Sequence, residues 1–167
     1  MLAESARMSS AAEARIRVQA PNSKPRSIKV IALDAPSEDV VRRLAEASWH
    51  HATFFTASSF AGEPSVGTTW GWLSDLGGHT KDLIDEVYTA DLVVMVATAG
   101  GNAEAASIIG EACSLKRVMT TALIIRGASA SDEALSRTLA PLRPWSLMVV
   151  IASSDDYIED MLIALRA

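Results

Sequence analysis

Apolar residues in this chain alternate between short unbroken runs and longer stretches with a single apolar face. The pattern is clearest from residue 90 to 126. DLVVMVATA breaks at Gly100-Gly101-Asn102, continues with Ala105, Ala106, Ile109, Ala112 and Cys113 on one helical face, and ends in MTTALII. A fully apolar strand is buried on both faces, and two such strands joined by a helix run parallel. The same alternation predicts a first strand at IKVIALD (28–34) and a second at ATFFTAS (52–58). Between them lies a helix opened by Pro36-Ser37, with Val40, Val41, Leu44, Ala45 and Ser48 on one face and Glu38 and Asp39 at its positive end. A helix from His79 or Thr80, with Leu83, Ile84, Val87 and Tyr88 inward, leads into the third strand at Asp91. After the fourth strand, 119–125, a helix from Ser131 carries Leu135, Leu139 and Leu142 inward and stops before Pro144. SLMVVIAS is the fifth strand, and a last helix from about Asp155 buries Ile158, Met161, Leu162 and Leu165.

Five strands alternating with helices predict a three-layer, doubly wound α/β fold: a mainly parallel five-stranded, Rossmann-like sheet of order 2-1-3-4-5. Such sheets bind ligands at the carboxyl ends of the strands, where neighbouring connections diverge, here after strands one and three. The residues at those ends are small and polar. They are Asp34 and Ser37 after strand one, Thr56 and Ser58 after two, Thr98, Gly100, Gly101 and Asn102 after three, Arg126-Gly127 after four, and Ser153 and Asp155 after five. Gly100-Gly101 permits close backbone approach, and a helix N-terminus capped by Asn102 suits a phosphate or carboxylate. Turn chemistry alone accounts equally well for Gly and Asn there, and Asp34 either meets a ligand hydroxyl or cation or serves its own turn. If the fold is as predicted, Asp34 and Gly100 become neighbours.

Composition narrows the class. Residues 1–27 mix Ser, Ala, Pro and charge with a net +3 and read as a mobile tail; residues 28–167 read as a single domain. The overall charge of -5 leaves the body at -8, a poor nucleic-acid surface. A lone cysteine, Cys113, and the absence of a long apolar run argue for a cytoplasmic protein that neither binds nor spans a membrane. No GxxxxGK[ST] or GxGxxG follows a strand, no GxSxG occurs in a strand-to-helix turn, and His50, His51 and His79 lack partners at metal-ligand spacing, so no metal site is expected. Cys113 on an inward face reads as a small buried hydrophobe. The segment 60–79, rich in glycine, is read as an irregular loop. Trp70 and Trp72 within it either cover a ligand or enter a partner surface, or else close the sheet edge, while Trp49 and Trp145 read as core.

From Lys81 onward the order of segments resembles the nucleotide-binding domain of the FtsZ/tubulin family. There an apolar strand beginning Ala-Asp runs into a glycine-rich phosphate loop, as Ala90-Asp91 runs into ATAGGNAEAA here. SDEALSRTLAPL resembles the family's acidic-capped helix, Ser153-Ser154-Asp155 its nucleotide-contacting turn, and IKVIALD its first strand. The resemblance implies the fold and the position of a nucleotide site. The family's dense Gly-Gly-Gly-Thr-Gly run is replaced by Gly100-Gly101-Asn102-Ala103-Glu104, ALDAPSED is not glycine-rich, and no second domain is read, so GTPase activity is not implied.

Three functions are compatible with this reading. The first is a Rossmann-like domain holding a nucleotide-like or other anionic ligand, of unknown identity, without recognisable catalytic residues. The alternative is a non-catalytic interaction or regulatory module docking through the Trp70-Trp72 loop. The third is a hydrolase or transferase whose Asp34, Thr98, Ser153 and Asp155 assemble in space. A hydrophobic content of 49% makes a homodimer the expected assembly.

Overall fold

The computed structural model describes residues 25–57, 72–165 and 167. Its strands are β1 (Ile28–Ala32), β2 (Ala52–Thr56), β3 (Trp72–Asp75), β4 (Thr80–Asp82), β5 (Leu92–Thr98), β6 (Met119–Ile125) and β7 (Met148–Ala152). Its helices are α1 (Ala35–Ala45), α2 (Leu83–Tyr88), α3 (Ala105–Lys116), α4 (Asp132–Leu142) and α5 (Asp155–Ala164), and a 3-10 turn, Arg143–Trp145, follows α4.

All seven strands form one mixed sheet, ordered β4-β3-β2-β1-β5-β6-β7. The run β2-β1-β5-β6-β7 is parallel, while β3 and β4 pair antiparallel at the β2 side. This corrects the five-stranded, mainly parallel expectation: two strands arise where a loop and a helix start were predicted. The miss has a physical cause. In β3–β4 only Leu73 is fully buried among residues whose side chains are described, the β4 residues are exposed or half-buried, and the turn is made by Asp75 to His79. The hairpin is therefore held by backbone pairing to the exposed edge of β2, and it leaves almost no apolar pattern in the sequence.

Side-chain alternation along the central strands splits the core in two. Ile31, Leu33, Met95, Ala122 and Ile124 face α2, α3 and α4, whereas Ile28, Val30, Val94, Val96 and Leu123 face α1 and α5. On α3 the small residues Ala105, Ala106, Gly110 and Ala112 let the helix lie close to its neighbours. Trp145 packs against Gly110, and Trp49 donates its indole N–H to the Leu44 carbonyl at 2.6 Å, so both half-buried tryptophans belong to the core margins. Two inward assignments need correction. Tyr88 is 71% exposed, its ring lying 4.6 Å from the Lys116 ammonium, because α2 ends there and turns its last residue outward. Ser48 is exposed because α1 ends at Ala45.

One charged residue lies within the parallel strands. Lys29, 8% exposed on the α2 face of β1, donates to Glu86 of α2 at 2.9 Å and tethers that short helix to the sheet.

Candidate functional site

The carboxyl ends of β1 and β5 are adjacent, with Ala32 opposite Val96, and the chains leaving them diverge to opposite faces: α1 onto one, α3 onto the other. At the point of divergence stands Asp34. It is the N-cap of α1, its Oδ1 accepting from the Ser37 N–H at 2.8 Å, while the Ser37 hydroxyl returns toward the Asp34 backbone N–H at 3.2 Å and the Asp34 carbonyl at 2.9 Å. The same carboxylate reaches across to β5. Oδ2 accepts from the Thr98 N–H at 2.8 Å, and Oδ1 from the Thr98 hydroxyl at 3.2 Å. Asp34 is 7% exposed and Ser37 fully buried, so these bonds form away from water, where a charged acceptor holds its donors strongly.

Gly101 completes the contact. A Cβ there would overlap the Asp34 carboxylate and lie 2.9 Å from the Thr98 carbonyl, so only glycine lets the β5 loop close on β1. The preceding Gly100 has φ +90°, a left-handed conformation that glycine adopts without strain. Its N–H donates to the Thr138 hydroxyl of α4 at 2.9 Å. That hydroxyl, fully buried, has the carbonyls of Thr98, Gly101 and Ala134 within 3.3 to 3.4 Å for its own proton. Sequence reasoning did not single out Thr138, because a threonine midway along an amphipathic helix carries no signal of what it meets.

The other predicted residues spread along the rim. Asn102 was expected to cap α3, but its side chain accepts from the Glu104 N–H at 2.8 Å in the turn before the helix, and Glu104 stands at the N-cap position without a side-chain cap bond, because one further turn separates Asn102 from the first helical residue. Thr56 ends β2, beside Ala32, and donates to Glu38 at 3.1 Å. Glu38 also pairs with Arg42, whose guanidinium donates to the Leu76 carbonyl at 3.0 Å, joining α1 to the hairpin turn. Ser153 follows β7 and is exposed, but β6 lies between it and Thr98, two strand spacings or about 10 Å. Asp155 opens α5, and Trp72 opens β3. Ser58 and Trp70, with the rest of 58–71, lie outside the described residues, as do the side chains of Trp72 and Asp155. Asp34, Ser37, Thr98 and Gly101 are thus brought into contact, while Ser153 is not.

Arg126 follows β6, one residue past Ile125, the register partner of Thr98. Its guanidinium donates to Asp132 at 2.6 Å and to the Ala130 carbonyl at 3.4 Å. The arginine side chain is 39% and the aspartate 90% exposed, so the pair is weakly held.

Two groups are held away from their ordinary titration ranges by their surroundings. Burial pushes the Cys113 thiol up to about 12, which keeps it protonated and unreactive in neutral solution. In the hairpin turn, the backbone N–H of His79 holds the partly exposed Asp75 carboxyl below its ordinary value. That contact supports the turn above the ordinary carboxyl range and is lost as pH falls through the lowered value. Among the described residues no group of three or more His, Cys, Asp or Glu side chains is arranged to hold a metal ion, and no helix is long and apolar enough to cross a membrane. No protein-family model matches the chain, and no curated protein is significantly similar to it.

Proposed function

We propose that this chain is a Rossmann-like, cytoplasmic binding domain that takes a small nucleotide-like or other anionic ligand at the carboxyl ends of β1, β5 and β6. The observation that carries the reading is the divergence of α1 and α3 to opposite faces from adjacent parallel strands, since α/β sheets hold ligands where that occurs. The resemblance to the FtsZ/tubulin nucleotide-binding domain supports the same location. Asp34 acts as a clamp that fixes the two loops and does not itself reach the ligand. Its buried negative charge repels an anion from the β1–β5 junction, so the ligand's anionic group lies toward Arg126, and neutral polar groups lie over Thr98, Gly100 and Asn102. Asp132, mostly in water, is readily displaced from Arg126.

The test is thermal unfolding of the full chain with GTP, ATP, NAD and CoA, followed by amide chemical shifts with any nucleotide that stabilises it. A ligand at one hundred times its dissociation constant raises the midpoint by about 5–10 °C. The shifts then move at Thr98, Gly100 and Asn102, and Arg126→Ala weakens binding. Absence of any rise across the panel, or shifts confined elsewhere, overturns the reading. The alternative of an interaction module docking through Trp70 and Trp72 falls on side chains outside the described residues.

A further inference from the structure

The two edges of the sheet are unlike. At one edge β4 is three residues long, Thr80, Lys81 and Asp82, and carries charge of both signs, the usual way in which an edge is kept from pairing. At the other edge β7 lies within Ser146 to Ser153, which contains no charged residue and no proline. Leu147, Met148 and Ile151 are 78, 45 and 48% exposed there. Leu147 and Ile151 lie on the face of Val149, and Met148 on that of Val150, so apolar surface is exposed on both faces of this edge.

The backbone of this edge is ready to pair. The Arg126 N–H donates to the Ala152 carbonyl at 2.8 Å, and alternate residues of a strand address the same neighbour, so Met148, Val150 and Ala152 bond to β6. Val149 and Ile151 therefore direct their N–H and carbonyl groups away from the sheet, with no strand beside them among the described residues. These two positions are self-complementary. In an antiparallel pair centred on Val150, Val149 of one copy faces Ile151 of the other, and each such pair exchanges two hydrogen bonds. Val150 meets its own counterpart, and Met148 meets Ala152. On both faces the cross-strand neighbours are apolar, and three of these five positions are β-branched, a favourable combination.

We infer that two copies of this chain associate through their β7 edges into one continuous sheet. The two-fold register selects a second copy over an unrelated peptide, since it needs no side chain that the chain lacks. An edge free of charge is also where two bodies of net charge -8 meet with least repulsion. The association covers the open backbone edge of each β7 and brings the flanks of Val149, Val150 and Ile151 from the two copies together. The inference is independent of the ligand reading, because β7 lies two strands from the β1–β5 junction.

Light scattering of the full chain over a concentration series tests it. The expected mass approaches twice 17.7 kDa, and Leu147→Lys and Ile151→Lys return it to 17.7 kDa with an unchanged far-ultraviolet circular dichroism spectrum. Should either variant fail to fold, Val150→Cys decides. Facing residues in a non-hydrogen-bonded antiparallel pair have Cα atoms about 4.5 Å apart, within disulfide reach, so mild oxidation yields a covalent dimer. The buried Cys113 does not compete. A wild-type chain that stays at 17.7 kDa into the millimolar range, folded lysine variants that remain dimeric, or absence of the covalent dimer overturns the inference.

Discussion

At the residue scale, the positions under the tightest constraint are glycines and small polar side chains, each defined by what lies opposite. Gly110 sits midway along α3, where alanine is ordinarily better by about 1 kcal/mol. Here a Cβ would overlap Trp145, whose ring closes the gap between α3 and the 3-10 turn. Gly110→Ala is therefore expected to destabilise by about 1–3 kcal/mol through overpacking, as read from the midpoint of urea unfolding. A stabilised variant would show that Trp145 yields without cost. Both Gly110 and Trp145 are plain in the sequence, yet their contact spans thirty-five positions and is written in neither local pattern.

At the element scale, most helices start where side-chain chemistry tells them to. Ser131 caps α4 through the Ala134 N–H at 3.1 Å, and Asp82 caps α2 through Ile84 and Asp85 at 2.8 and 3.2 Å. Asp34 differs because it caps α1 and also binds the loop of another strand. Losing an N-cap costs about 1 kcal/mol, and leaving the Thr98 N–H without its charged acceptor adds a further 1–3 kcal/mol. Asp34→Ala is expected to cost about 2–4 kcal/mol in urea unfolding, and to move the amide resonances of Thr98 and Gly101 along with those of α1. A loss near 1 kcal/mol with unmoved β5-loop resonances would reduce Asp34 to a simple cap. The sequence placed the helix start at Pro36-Ser37 and left Asp34 between a ligand contact and its own turn; its capping bond is local, whereas the bonds to Thr98 depend on β1 and β5 being neighbours.

At the scale of the whole molecule, the parallel strands are fixed by burial on both faces, and Lys29 is the exception that a core element must accommodate. Its pairing with Glu86 sets where α2 rests. Lys29→Met is expected to destabilise by about 1–3 kcal/mol, because it leaves the half-buried Glu86 carboxylate without its partner. Lys29→Met combined with Glu86→Leu is expected to recover most of that loss, since two apolar side chains replace a desolvated pair. A double variant as unstable as the single, measured by urea unfolding, would mean that α2 requires the ionic contact itself.

The existence and order of the five parallel strands, with ends one to two residues longer in places than the observed ones, the helices between them, and the cap at Ser131 were determined by sequence alone. Period and capping are local, and burial on two faces leaves an unbroken apolar run. Tertiary structure alone decided the β3–β4 hairpin, whose polar strands exist because β2 offers an edge. It alone also decided the closing of Asp34 on Thr98 and Gly101, the insertion of Thr138 under the β5 loop, and the burial of Lys29 against Glu86. In each of these the partner lies between about 20 and 65 residues away, and a hydrogen bond's partner is set by which strands are adjacent, a property of the folded sheet that no window of the chain contains.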